Sequence, residues 1–462
     1  VAISTSAAVA RELRALLGDD SVLPGTTRAY LTDATENRTV RGRADAVTLP
    51  RDAAEVAAVL AWCYEHDVPL IPRGGGSGLA GGAVPTDGGV VVSLERLSGP
   101  PRLEPERWRA FVPAGVTTAG LQRRAREEGL LYAPDPGAPE QSQLGGNIAT
   151  NAGGPHTFKY GVTGTWVTGL ELVLAPGEVV SIGGPIRKDV AGYDLKSLIV
   201  GSEGTLGIVT AAWVKLLPAP ESQLPVVAFF PDAQAGCEAL TTVMASGLVP
   251  AALEYLDEVA VAKAGASFPG ETPREPAFML IAEADGSTAE AQHLRAELLE
   301  AFAPGALATH APEGRGEIRE LWRWRSGVSL AVIAARGGKV SEDIVVPLER
   351  LAEAIVATRE IGARHGLPAC SWGHAGDGNL HSTFMIDLED PAEAQRSVQA
   401  AQDLFTLAVG LGGSVSGEHG LGLAKRGALA RQWPEPALAL HEQIKDVFDP
   451  KGLLNPGKKL AR

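Results

Sequence analysis

Two imidazoles and a carboxylate stand out late in the chain, in Gly373-His374-Ala375-Gly376-Asp377-Gly378-Asn379-Leu380-His381 and, downstream, Ser416-Gly417-Glu418-His419-Gly420. The Gly-Asp-Gly-Asn run between His374 and His381 is turn chemistry, so the chain folds back there and can bring both rings to one point. Two His and one Glu suit an open divalent-metal site with positions left for water or substrate. Asp377 either orients a ligand imidazole or holds the turn. A lone His pair at this spacing is more often one packed and one solvated ring. Glu418-His419 shifts that balance, because charged side chains between turn glycines have little structural task.

Such a site needs elements to position it and something to act on. Residues 71–83 are dense in glycine, and each glycine weakens a regular element by roughly 0.5–1 kcal/mol relative to Ala. The run makes sense where backbone bends with positive φ and turns bare N–H groups toward an anion, a phosphate first of all. Gly76-Ser77-Gly78-Leu79-Ala80-Gly81 spells G-x-G-x-x-G, yet Gly82, Pro85, Gly88 and Gly89 forbid the helix that the dinucleotide fingerprint requires. A Walker A loop is excluded as well, since Gly82-Ala83 replaces Lys-Ser/Thr. What remains is a non-helical phosphate loop, with Arg73 at its mouth, between short buried strands at 68–71 and 90–94. Two further small-residue segments follow. In 145–154, after Pro134-Asp135-Pro136, one or two helical turns would let a flat ligand lie on backbone, with Asn147, Thr150 and Asn151 offering donors and acceptors. Residues 201–209 join a turn to a strand.

A chain of 462 residues predicts about two or three domains. Its net charge of −14 argues against nucleic acid or an anionic membrane surface as main partner. The three scattered cysteines form no C-x-x-C, so neither a disulfide framework nor an iron–sulfur site is written here, and a reducing cytoplasm fits best. No apolar run has the length of a membrane span and the N-terminus lacks the form of a signal peptide, although a start at Val1 allows for residues upstream. Periodicity predicts helices over 7–17, 53–66 (capped by Asp52) and 119–128. After a linker marked by Pro218, Pro220 and Pro225, a strand is expected at 278–283, helices at 288–302, 318–332 and 348–365, and a strand at 344–346.

The segments Pro72–Gly78, Gly145–Gly154, Lys188–Leu195 and Gly201–Gly207 closely resemble the FAD-linked oxidases of the vanillyl-alcohol oxidase and p-cresol methylhydroxylase superfamily, in the branch of D-lactate, glycolate and D-2-hydroxyglutarate dehydrogenases. The resemblance implies an α+β fold: a two-part FAD-binding domain of the p-cresol methylhydroxylase type (1–217), an α+β cap or substrate domain with an antiparallel sheet (218–412), and a C-terminal segment (413–462) that returns to the FAD domain. It implies FAD bound by Pro72, Arg73, Gly74, Gly75, Gly76, Ser77 and Gly78 at the pyrophosphate, and by Pro136, Gly145, Gly146, Asn147, Ala149, Thr150, Gly153, Glu203, Gly204, Gly207, Ile208 and Asn455 around the rest. Ser77 and its neighbours offer no His for a covalent link, so the FAD is expected to be dissociable. By the same resemblance His374, His381 and Glu418 hold a divalent metal, zinc being the expected ion, and His419 is the catalytic base. Arg325 falls where the family binds the substrate carboxylate, with Arg323 as its competitor.

The implied activity is oxidation of a small 2-hydroxy acid to the 2-oxo acid, with hydride passing to flavin N5. Ser329 and Ser341 stand where the D-2-hydroxyglutarate branch has Thr and Lys. Lys339 lies near enough to substitute, but the departure favours a monocarboxylate. Electrons would leave through a separate acceptor: a quinone, a cytochrome, an electron-transfer flavoprotein, an iron–sulfur subunit or oxygen. A homodimer, and a cytoplasmic protein able to sit peripherally at the inner membrane, are compatible with this reading. The alternative is a flavin-binding but catalytically silent subunit of a larger oxidase complex, which would have no need of His374, His381, Glu418 and His419.

Overall fold

Asp52 accepts a hydrogen bond from Glu55 N at 2.9 Å and so starts the helix Ala53–Glu65, which buries Val56, Val59, Leu60 and Cys63 along one stripe. That helix carries the chain from strand Ala46–Thr48 to strand Leu70–Arg73, and Val90–Ser93 lies parallel to both. The crossover is what parallel pairing demands. Val22–Pro24 completes a four-stranded sheet, and the wholly buried Val90–Ser93 occupies its interior. The computed structural model describes residues 5–35 and 40–460. A five-stranded antiparallel sheet follows, ordered Arg102–Glu104, Arg109–Pro113, Ile208–Lys215, Val167–Leu174, Glu178–Gly183. Between the loop after Arg73 and the strand at Val90 there is no helix, as the glycines and Pro85 require.

The second half is built on a seven-stranded antiparallel sheet ordered Ala308–His310, Ser222–Phe230, Phe278–Gly286, Ala252–Leu256, Ala369–His374, Asn379–Ile386, Gly338–Val345. The two-residue period of its strands sorts side chains to two faces. Val226, Ala228, Phe230, Leu253, Tyr255, Leu280, Leu380 and Phe384 pack into one core, joined by Leu298, Phe302, Ile355, Ile361 and Leu404 of three covering helices. Leu256, Met279, Ile281, Cys370, Trp372 and Met385 line the opposite face, under Leu321, Trp324 and Val328 of helix Arg315–Ala334. Glu254, Asp343, His374 and His381 share the parity of this second face. It is therefore the sheet itself that gathers the polar groups.

The tail comes back to the first sheet. Leu70 N donates to Leu453 O at 2.8 Å and Asn455 N to Leu70 O at 2.7 Å. The expected helices are present, starting or ending a few residues from their predicted limits. The strand expected at 344–346 runs over Gly338–Val345, because Lys339, Ser341 and Asp343 belong to the polar face and Glu342 interrupts the apolar one, so the sequence shows no sustained alternation. Strand Ala252–Leu256 went unpredicted, its charged centre breaking the apolar signal.

Candidate active site

The hairpin of Ala369–His374 and Asn379–Ile386 sets His381 opposite Trp372, with His374 at its tip opposite Asn379. The turn between them brings the rings to 5.2 Å, edge to face. Glu418 reaches in from the C-terminal loop, its Oε1 lying 3.2 Å from His374 Nε2 and 3.6 Å from His381 Nε2. One donor atom from each residue lies within 4.8 Å of the others, a convergence that fits a divalent ion. His419 stacks on His381 with centroids 5.4 Å apart and planes 9° from parallel.

Two buried carboxylates that sequence reasoning did not single out hold this set. Glu254, fully buried, accepts from His374 Nδ1 at 2.5 Å through one oxygen and from Arg325 Nη2 at 2.5 Å through the other. It therefore fixes the orientation of the ring and turns Nε2 toward Glu418. Burial would lower the His374 pKa, but the carboxylates of Glu254 and Glu418 outweigh it and hold the imidazolium well above its ordinary range. His381 goes the other way: burial, together with His374 and His419, pushes it well below, so it stands as a neutral imidazole. Asp343 is the second carboxylate. One of its oxygens accepts from the N–H groups of Gly417, Glu418 and His419 at 2.8, 3.0 and 3.0 Å, and so shapes the loop that presents Glu418 and His419. Asp377 Oδ2 is buried with no hydrogen-bond partner; Arg323 is exposed on the helix while Arg325 is buried.

The glycine segments meet this cluster. A Cβ on Gly153 would lie 2.7 Å from Glu418 Oε2, so the second small-residue segment touches the carboxylate directly. The phosphate loop needs its glycines for the same kind of reason: Gly76 has φ 70°, and a Cβ there would strike the Arg73 guanidinium at 2.1 Å. Arg73 itself turns back to donate to Thr32 O and Ala29 O at 2.8 and 2.9 Å, bracing the loop from behind. Residues 145–150 lie in the helix Leu144–Thr150, whose side chains are largely spoken for: Asn147 Nδ2 donates to Thr118 Oγ1 at 2.6 Å and Thr150 Oγ1 to Gly146 O at 3.1 Å. Ala149 O accepts from Glu203 N at 2.7 Å, joining the second and third segments. The Glu203 carboxylate accepts from Leu421 N and Gly422 N at 2.9 and 2.7 Å, so it secures the C-terminal loop. Gly204 packs against Pro72 beside the phosphate loop, Gly145 against Ala114 and Gly207 against Leu174 and Leu172; Pro136 is half-buried ahead of the second segment, and Ile208 is the first residue of its strand. Gln143 Oε1, Asn455 Oδ1 and Lys458 Nζ are buried here with no hydrogen-bond partner, which fits a polar cofactor laid along these segments.

A family described as FAD linked oxidases, C-terminal domain, matches residues 219–459, more than half of the chain. The chain belongs to the FAD-linked oxidases. An FAD binding domain is matched over residues 44–183. This FAD-linked oxidase is 37% identical over 426 residues to glycolate oxidase subunit GlcD of Bacillus subtilis, across 90% of its own length and 89% of that protein. It is 34% identical over 432 residues to D-lactate dehydrogenase of Anaerostipes hadrus, covering 90% of each. Substrate-bound p-cresol methylhydroxylase superposes with a TM-score of 0.79 at 19% identity, over 97% of this chain and 96% of that one. The expected p-cresol methylhydroxylase architecture with its antiparallel second domain is the one found. Among the described residues no helix is long and apolar enough to cross a membrane.

Proposed function

We propose that this FAD-linked oxidoreductase oxidises a small 2-hydroxy acid of the glycolate or D-lactate type to its 2-oxo acid. The observation that carries the proposal is the convergence of His374 Nε2, His381 Nε2 and Glu418 Oε1 beside the flavin-segment backbone at Gly153. The names of the relatives, glycolate oxidase subunit and D-lactate dehydrogenase, support the substrate class.

In this reading His374, His381 and Glu418 would hold a divalent ion, zinc for preference, whose chemistry would be to lower the pKa of a hydroxyl bound beside it. FAD, held without a covalent link, supplies the two-electron acceptor at N5. The chain's own groups do the rest. His419, stacked on the His381 ring, takes the hydroxyl proton on its imidazole. Arg325, fixed by Glu254, pairs with the substrate carboxylate through its remaining N–H donors and aims the α-hydrogen. Its Nε is buried and unpartnered, so a donor is still open. Ser341 Oγ is shared with Thr383 Oγ1 at 2.8 Å, and Lys339 Nζ lies 5.1 Å from the centre of the Trp372 ring, which favours a monocarboxylate over a diacid. The chain divides in this reading into FAD domain (1–217), cap (218–412) and returning tail (413–462). A separate acceptor removes the electrons, in keeping with a relative named as a subunit.

The test is anaerobic mixing of the holoprotein with D- and L-2-hydroxy acids while following flavin absorbance, with and without chelator. Bleaching by glycolate or D-lactate that chelation abolishes is expected. No bleaching by any member of the panel would overturn the substrate class, and chelator-insensitive bleaching would overturn the metal.

A further inference from the structure

Four lysines in the final stretch of chain are wholly or largely buried, and three have carbonyl partners. Lys425 Nζ donates to Asp343 O and Val415 O at 2.6 and 2.9 Å, Lys445 Nζ to Thr205 O and Leu454 O at 2.7 and 2.8 Å, and Lys459 Nζ to Gly201 O at 2.8 Å. Lys458 is the exception: it is 3% exposed and its ammonium has no hydrogen-bond partner. An ammonium withdrawn from water without an acceptor is costly, so a fold that satisfies three neighbouring lysines and not this one has a reason outside the protein.

Its surroundings point to that reason. Asn455, three residues earlier, anchors the segment by donating to Gly82 O and Glu203 O at 3.0 and 2.7 Å, which ties it to the end of the glycine-rich loop and to the third glycine segment. Asp33 Oδ2, close to Gly78 of the phosphate loop, is also buried and unpartnered. Asp33, Glu203 and Asp87 attract Lys458 from a distance, Arg426 repels it, and no carboxylate among the described residues forms an ion pair with it. Burial draws its ammonium down to about 8, the mark of a charge awaiting a counter-ion.

We propose that Lys458 is a positioning residue for the cofactor, its ammonium the counter-charge for an anionic group of bound FAD, either the diphosphate or the N1–C2=O edge of the flavin ring. The proposal rests on the flavin reading of the glycine segments. The test uses FAD-free protein with Lys458→Met and Lys458→Arg, titrated with FAD and with lumiflavin by flavin fluorescence, and the FAD-loaded proteins titrated with sulfite. Lys458→Met should weaken FAD binding by about tenfold or more, Lys458→Arg should restore most of it, and FAD-free Lys458→Met should be no less heat-stable than the parent. Weaker FAD with unchanged lumiflavin assigns the charge to the diphosphate; weaker lumiflavin together with weaker sulfite adduct formation assigns it to the ring edge. Parental FAD and sulfite affinities in Lys458→Met, or lower stability of its FAD-free form, would overturn the assignment. Parent protein that takes up no FAD would overturn the flavin reading itself.

Discussion

Glu254→Gln isolates the carboxylate that joins Arg325 to the His374–His381–Glu418 cluster. The native side chain accepts from two donors at once, His374 Nδ1 and Arg325 Nη2, each at 2.5 Å, with no exposure to solvent. Glutamine has nearly the same volume but one acceptor oxygen. Whichever donor it keeps, its NH₂ faces the other, donor against donor. Leaving the buried Arg325 guanidinium without its counter-charge predicts a loss of about 3–5 kcal/mol in stability, the scale for breaking one side of a buried ion pair. Loss of the His374 orientation predicts a drop of ~10–100-fold in metal affinity. The pH dependence has a definite sign. Burial raises the Glu254 pKa, but His374 and Arg325 bring it below its ordinary value of 4.5, so its contribution is present above that value and fades as pH falls through the lowered one. Glu254→Gln should therefore remove part of the acid sensitivity of the metal-free protein. Zinc competition against a chromophoric chelator, alongside denaturant unfolding at neutral and acid pH, reads all three effects. Zinc affinity within twofold of the parent, with unchanged stability, would refute the reasoning.

Further expectations follow from the same geometry. His419→Ala should keep FAD bound and abolish its reduction by a 2-hydroxy acid; reduction at the parental rate in a stopped-flow trace would place the base elsewhere. His381→Ala should lower bound metal measured by elemental analysis, and unchanged stoichiometry would remove it from the ligand set. Gly153→Ala puts a methyl 2.7 Å from Glu418 Oε2, so it should weaken metal binding with all three proposed ligands left in place; unaltered affinity would mean the loop yields freely. Asp257, which caps the helix Glu258–Ala264, is raised by burial from 3.8 to about 7. A raised carboxyl costs the folded state on ionising, so stability should fall as pH rises from about 4 to about 7, by about 4 kcal/mol at most. Asp257→Asn should flatten that slope in unfolding curves, and an unaltered slope would reject the assignment.

The glycine loop and the His-Glu-His cluster were legible because their residue types are a poor bargain for any structural purpose. Glycine at 76 and a charged pair at 418–419 declare themselves in one dimension. Glu254 and Asp343 did not. Each is one carboxylate in a short strand, and only antiparallel pairing brings Glu254 opposite His374 and Asp343 opposite His381. Register is a long-range property with no local signature. Arg73 and Asn147 show the converse limit: their types suit a phosphate or a heteroaromatic edge, yet both side chains are engaged within the protein, and it is the backbone they steady that faces the ligand segments.

The loop carrying Glu418 and His419 is gripped at both ends, by Asp343 from the cap sheet and by Glu203 from the flavin side. Because Glu418, His419, Asn455 and Lys458 all follow the cap sheet in the chain, the cluster around His374 and His381 is incomplete until the segment after residue 413 has closed back against both sheets.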